Sequence, residues 1–180
     1  WTLVAPWIVA AAVLAVLPLI FPSSSGVTIM NQMAITVVFA LSYNMLLGQG
    51  GMLSFGHAVY MGLGGFFAVH MLNWIEDDVF PMTLPLLPLF GGLFGMLFGA
   101  LVGSFSTRRA GVVFAMISLG VGELVASSSV IVVAFFGGEE GVSGDRTYAP
   151  FFGIEFFTPL SVYYLIAVWL LISALGMWLF

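Results

Sequence analysis

Long apolar segments separated by short polar or glycine- and proline-containing breaks are the main pattern of this sequence. Six segments have about the 20 apolar residues that a helix needs to cross a hydrocarbon layer of roughly 30 Å. They comprise residues 1–21, 29–47, 58–75, 84–106, 111–136 and 160–180. Strands of a membrane β-barrel would alternate polar with apolar residues, and these segments do not. The pattern predicts an all-α, polytopic integral membrane protein with about six transmembrane helices in a single domain.

Composition agrees with this prediction and excludes several classes of protein. Of the 180 residues, 62% are hydrophobic and 6% are charged, whereas a soluble domain has about 25% charged residues. Lysine is absent and only three arginines are present, so no basic face is available for nucleic acid. Cysteine is absent too, which excludes disulfides, thiolate metal sites and cysteine nucleophiles. The chain begins without methionine and ends inside an apolar run, so we expect a longer protein, truncated on the C-terminal side.

The arginines predict the orientation, because basic residues in short loops stay on the cytoplasmic side of a membrane. Arg108 and Arg109 occupy the break between the fourth and fifth segments. Counting spans from this break places residues 48–57 toward the inside. The breaks at 76–83 and 137–159 are then predicted to lie outside.

Small residues in the fourth segment predict close helix packing, because they let helix backbones approach each other in lipid. The stripe consists of Gly91, Gly95, Gly99 and Gly103. The fifth segment has a shorter stripe at Ser118, Gly122 and Ala126. The two helices are therefore predicted to face one another or a third helix.

Polar residues interrupt the apolar pattern after the second segment. Asn44, Gln49, Ser54 and His57 occur here, together with a run of glycines. Irregular backbone and polar side chains at membrane depth are tolerated where protein or a water-filled cavity satisfies them, as in the broken helices of transporters. Two interpretations remain open: residues 48–57 enter the bilayer beside a substrate path, or they form an ordinary cytoplasmic turn.

One carboxylate, Glu123, lies near the middle of the fifth segment. A charge at this depth costs about 2.5–3.5 kcal/mol on insertion scales, so such residues usually face a bundle interior or a cavity. Glu123 is predicted either to form an interhelix hydrogen bond or to join the path, and burial would favour its protonated form. The candidate residues of the path are Asn44, Gln49, Ser54, His57 and Glu123.

Two histidines raise the alternative of a haem-carrying subunit, because His57 and His70 lie on one predicted helix. Two haems that each have two histidine ligands need four imidazoles, and the chain has two. We therefore expect no haem, no metal site and no other cofactor.

The outer loop at residues 137–159 is rich in glycine, acidic residues and aromatic residues. It is either a loop at the membrane surface, anchored by its aromatic side chains, or a docking surface for a soluble protein with basic residues. The docking interpretation depends on Glu139, Glu140 and Asp145.

Four stretches of the chain resemble one known family. Residues 44–58 read NMLLGQGGMLSFGHA and are followed by a helix with Gly62 and Gly64. Residues 109–116, 120–124 and 137–144 read RAGVVFAM, GVGEL and GGEEGVSG. In these motifs the chain resembles the permease subunits of branched-chain amino acid ABC importers, the LivM-like branch.

The resemblance implies a type II ABC importer permease of the cell inner membrane, surrounded by membrane lipid. Its partners would be a second permease subunit, two ATP-binding subunits and an extracytoplasmic solute-binding protein. The permease would have no catalytic residues, since its partners hydrolyse ATP, and its substrates would be branched-chain amino acids or related small amino acids and amides. Family members are longer, and their ATPase-contacting segment would follow Phe180. An ion-coupled secondary transporter is the main alternative, and a non-transporting scaffold is a third.

Overall fold

A computed structural model describes residues 5–77, 79, 83–109, 111–145 and 158–179. All regular structure in these residues is helical, which confirms the predicted all-α class. The elements are α1 (Ala5–Ile20), α2 (Ser24–Asn44), a π-helical turn (Met45–Gln49), α3 (His57–Glu76), a 3-10 turn (Leu84–Leu86), α4 (Leu87–Ser106), α5 (Val112–Ile131), α6 (Val133–Phe136) and α7 (Pro159–Leu179).

Several of the described helices are long and apolar enough to cross a membrane. Five segments meet this condition: Ser24–Gln49, His57–Glu76, Leu84–Ser106, Val112–Ile131 and Pro159–Leu179. The described part of the predicted first span is α1, an apolar helix of 16 residues. The chain therefore has the polytopic architecture that its apolar pattern predicts.

Local chemistry explains where two helices depart from the predicted boundaries. α2 begins before the predicted residue 29, because the Ser23 hydroxyl accepts a hydrogen bond of 3.1 Å from the Gly26 N–H and caps the helix. α5 ends before the predicted residue 136, because Val132 leaves the helical region with φ −95° and ψ 66°. The short α6 follows this break.

The chain divides into two compact units, of which the first comprises residues 1–41 and 155–180. Its core contains Val27, Met30 and Tyr163. Pro18 lies inside α1 and has no N–H to donate to the Leu14 carbonyl one turn earlier. The Tyr163 hydroxyl donates to that carbonyl oxygen at 3.0 Å. A tyrosine from α7 thus replaces the backbone donor that the proline removes.

The second unit comprises residues 42–154, and α3 and α4 pack closely in it through their glycines. A Cβ atom added to Gly64 would lie 2.6 Å from the Gly91 carbonyl oxygen, and one added to Gly95 would lie 2.9 Å from the Tyr60 carbonyl oxygen. These distances are shorter than van der Waals contact, so the crossing requires glycine at these positions. The first two glycines of the predicted stripe therefore lie against α3.

The other two glycines of the stripe have more space. A Cβ atom on Gly99 would meet only the Tyr60 ring, at 3.8 Å, and one on Gly103 would meet no described atom within 4 Å. Both glycines line the cavity described below.

Aromatic side chains hold α6 against the second half of α3. Phe66 of α3 contacts Phe136 edge to face with ring centroids 5.1 Å apart, and the His70 ring stacks on the Phe135 ring at 5.3 Å. The His70 Nε2–H donates to the Phe135 carbonyl oxygen at 2.7 Å. These contacts fix the position of α6 after the break at the end of α5.

The outer sides of the helices carry large apolar residues that the chain itself does not cover. On α5, for example, Ile131 is 79% exposed, Val112 75% and Met116 70%. An apolar surface of this extent requires lipid or other protein subunits to cover it.

Candidate functional site

The polar interruption between α2 and α3 has an irregular backbone. The last turn of the helix widens into the π-helical Met45–Gln49, and the Gly50 N–H is directed to the Met45 carbonyl oxygen at 3.4 Å. Gly51 follows with a φ of +61°, a conformation that favours glycine. Single π-helical turns are rare and are often found at functional sites. The helical turn ends at Gln49, and Gly50 and Gly51 follow it.

The segment that leads from this turn to α3 is attached to α5. The Phe55 N–H donates to the Ser118 hydroxyl at 3.0 Å, and that hydroxyl donates to the Ala115 carbonyl oxygen at 2.8 Å. A Cβ atom on Gly56 would overlap the Ser118 carbonyl oxygen, and a Cβ atom on Gly122 would lie 3.8 Å from the Gly56 Cα. The interruption therefore packs against α5 at Ser118 and Gly122, two small residues of the predicted stripe.

A hydrogen bond joins the two ends of the interruption. The Ser42 Oγ of α2 and the His57 Nε2 of α3 are 2.8 Å apart, and the imidazole tautomer determines which of the two groups donates. Tyr43 and Tyr60 contact the His57 ring edge to face, at 5.5 and 6.4 Å between centroids. The histidine is therefore held in one orientation at the start of α3.

These elements line an open cavity of about 570 Å³, a volume typical of small-molecule sites. Its polar lining consists of Ser42, Gln49, Ser54, His57, Ser106 and Thr107, with Tyr60 beside them. Its remaining lining consists of Met45, Leu46, Gly50, Gly99, Gly103 and Phe114. The cavity thus combines an apolar wall with several hydrogen-bonding groups.

Three of the five predicted path residues line this cavity, namely Gln49, Ser54 and His57. Asn44 and Glu123 are exposed on the surface of this chain and are not among the lining residues. The structure therefore brings Gln49, Ser54 and His57 together around one cavity. The side chains of Asn44 and Glu123 lie outside it.

Several cavity residues were not singled out from the sequence, although their spacing carries a signal. Ser42 is followed by Met45, Leu46 and Gln49 at three, four and seven positions further along the chain. This is the spacing of residues on one face of a helix. A similar spacing of four, seven and eight positions separates Gly99 from Gly103, Ser106 and Thr107, along α4 and the residue after it. Following that face from Gln49 would have selected Ser42 in place of Asn44.

A second cavity, of about 710 Å³, lies at the other end of α3. Its lining is mostly polar or acidic and consists of Asn73, Glu76, Asp77, Ser143, Gly144 and Asp145. The Asn73 side chain donates to the Ser143 carbonyl oxygen at 3.2 Å, which attaches the loop after α6 to α3. Of the predicted docking residues, Asp145 lines this cavity, whereas Glu139 and Glu140 are exposed on the same loop.

The described residues offer no obvious metal site. No group of three or more His, Asp or Glu side chains among them is arranged to hold a metal ion. The polar cavity groups described above are hydroxyls, an amide and an imidazole, which can exchange hydrogen bonds with a passing solute.

Comparison with known families gives a match over most of the chain. The family model described as "Branched-chain amino acid transport system / permease component" matches residues 25–180. The matched region includes the interruption, both cavities and every described helix from α2 onward, apart from the first residue of α2. Comparisons with curated proteins and with solved structures give no match.

Proposed function

The chain belongs to the family of permease components of branched-chain amino acid transport systems, and on this basis we propose that it forms part of the solute path of an ATP-driven importer. The observation that carries this proposal is the cavity beside the polar interruption. It is large enough for a small solute, and side chains from α2, α3, α4 and α5 all reach it. A path between helices that can move relative to one another is what alternating access requires.

The proposed solutes are branched-chain amino acids, with related small amino acids and amides as the wider class. Met45, Leu46 and Phe114 offer apolar contacts to an aliphatic side chain, and Gln49, Ser54 and His57 offer hydrogen bonds to a polar end. Pockets that bind small molecules usually combine a largely apolar wall with a few polar groups in this manner.

The proposed assembly contains a second permease subunit, two ATP-binding subunits and an extracytoplasmic solute-binding protein in the cell inner membrane. The extensive uncovered apolar surface of α5 supports burial against lipid and a further membrane subunit. Glu123 and Asn44 are exposed in this chain, so we propose that they reach the path at the contact with the second permease. ATP hydrolysis is assigned to the partner subunits.

The acidic cavity supports a docking role for the outer face. Glu76, Asp77 and Asp145 lie together there, and the exposed Glu139 and Glu140 extend the same charge along the loop. We propose that these carboxylates meet basic residues of the solute-binding protein and steer its approach.

Uptake by the full-length complex in proteoliposomes tests the proposed function. Radiolabelled leucine should accumulate only with internal ATP and the external binding protein, and ionophores should have no effect. Uptake that requires an ion gradient and proceeds without the ATP-binding subunits would instead establish the secondary transporter. If neither condition gives uptake of any amino acid or amide, the proposed function is wrong.

A further inference from the structure

Ser54 is a buried polar residue of the cavity. It is only 4% exposed, and no described residue provides a hydrogen-bond partner for its Oγ. A buried hydroxyl without a partner is costly, so folded proteins pair such groups with protein, water or a ligand. Because Ser54 lines the cavity beside the interruption, a molecule that enters this cavity can provide the partner.

The charge of the cavity limits what that molecule can be. The described residues that line it include no Asp, Glu, Lys or Arg. A solute with a net charge therefore finds no opposite charge among these residues to repay the hydration that it loses on entering. A solute that is neutral overall carries no net charge for the site to compensate, and its apolar part can contact Leu46 and Phe114.

We propose that the Ser54 hydroxyl binds the polar end of an overall neutral solute and makes the membrane path itself selective against charged solutes. This inference rests on the proposed transport function and adds to it a residue and a criterion of selection. A hydroxyl both donates and accepts hydrogen bonds, so it can bind the charged groups of a zwitterionic amino acid or the amide group of an uncharged solute.

Saturation-transfer NMR on the complete membrane complex tests this proposal without the solute-binding protein, which has its own selectivity. Leucine, lysine and glutamate serve as probes at equal concentrations. Leucine should show the strongest transfer, and Ser54→Ala should weaken its affinity by about 2- to 12-fold, the change expected for one net hydrogen bond. Ser104→Ala is the matched control, because its hydroxyl is exposed and bonds to the Leu101 carbonyl oxygen on α4. This control should bind leucine as the unaltered complex does.

The outcomes separate this inference from the proposed function. If the unaltered complex takes up leucine but Ser54→Ala binds it equally well, the hydroxyl is satisfied by water alone and the inference is wrong. Equal transfer to lysine and leucine would also overturn it. Failure of all ATP-dependent uptake overturns the proposed function instead. If Ser54→Ala does not assemble, Ser54→Cys, with similar volume and a weaker donor, should give an intermediate loss of affinity, and no loss would refute the proposal.

Discussion

The side chains of Ser42 and His57 form a hydrogen bond of 2.8 Å between the end of α2 and the start of α3. The whole interruption lies between these two residues, and both of them line the cavity beside it. The hydrogen bond therefore closes the irregular segment and fixes one wall of the proposed path.

The first prediction concerns the coupling between these two side chains. Ser42→Ala and His57→Ala should each lower leucine uptake in proteoliposomes by about 2- to 12-fold, since each removes the same hydrogen bond. Uptake by the double variant should be little lower than uptake by the more impaired single variant, because the two partners of one hydrogen bond do not contribute independently. If the fold reduction in the double variant equals the product of the two single reductions, the hydrogen bond does not organise the path. Unchanged uptake in both His57→Ala and Glu123→Gln would refute the assignment of path residues.

The second prediction compares two neighbouring glycines of α4. A Cβ atom at Gly91 would lie 2.8 Å from the Gly64 carbonyl oxygen, whereas one at Gly92 meets no described atom within 4 Å. Gly91→Ala should therefore destabilise the protein by about 1–3 kcal/mol, the usual cost of overpacking. Thermal unfolding of the purified complex in detergent measures the effect. Gly92→Ala is the control, and equal midpoints for the two variants would contradict the packing of α3 on α4.

The third prediction concerns the substitute donor in the first unit. Tyr163→Phe leaves the Leu14 carbonyl without the donor that Pro18 cannot provide, so it should cost about 1 kcal/mol. In a Pro18→Ala background the backbone can supply an N–H, and the same tyrosine substitution should then cost clearly less. The measurement is the midpoint of thermal unfolding of four proteins: the unaltered protein, Tyr163→Phe, Pro18→Ala and the double variant. An equal cost in both backgrounds would disprove the exchange of donors.

The fourth prediction concerns the acidic cavity at the end of α3. Glu76→Gln with Asp145→Asn should slow association of the solute-binding protein with the complex in nanodiscs, chiefly at low salt, because rim charges act mainly on the association rate. At high salt the difference should shrink as screening increases. Surface plasmon resonance measures both rates. A loss of association that is the same at all salt concentrations would argue against electrostatic steering.

The apolar pattern was sufficient to predict the all-α membrane class, because spanning a bilayer leaves few structural options. It predicted an interruption of the helix near Gln49, but not the π-helical form of the Met45–Gln49 turn. It could not predict the break at Val132 either, since this residue does not differ in hydropathy from its neighbours. The pattern also could not predict which of the α4 glycines would contact α3. That choice depends on Gly64, whose match with Gly91 is a tertiary contact.

The candidate site was predictable in its location and less so in its members. Polar character at membrane depth selected Gln49, Ser54 and His57, which share the cavity. The same criterion selected Asn44 and Glu123, which are exposed on this chain. Polarity alone does not report on which side of a helix a residue lies, and a contact with a second subunit leaves no mark in one sequence.

Thiol labelling of single cysteines tests most directly whether the cavity beside the interruption is the solute path. These 180 residues contain no cysteine. Gln49→Cys on the cavity wall and Leu97→Cys, an exposed α4 position outside that wall, therefore each introduce a single thiol into this part of the subunit. A small water-soluble thiol reagent should react with Gln49→Cys and stop leucine uptake, whereas Leu97→Cys should keep its uptake. Full uptake after complete modification of Gln49→Cys would contradict a path through this cavity.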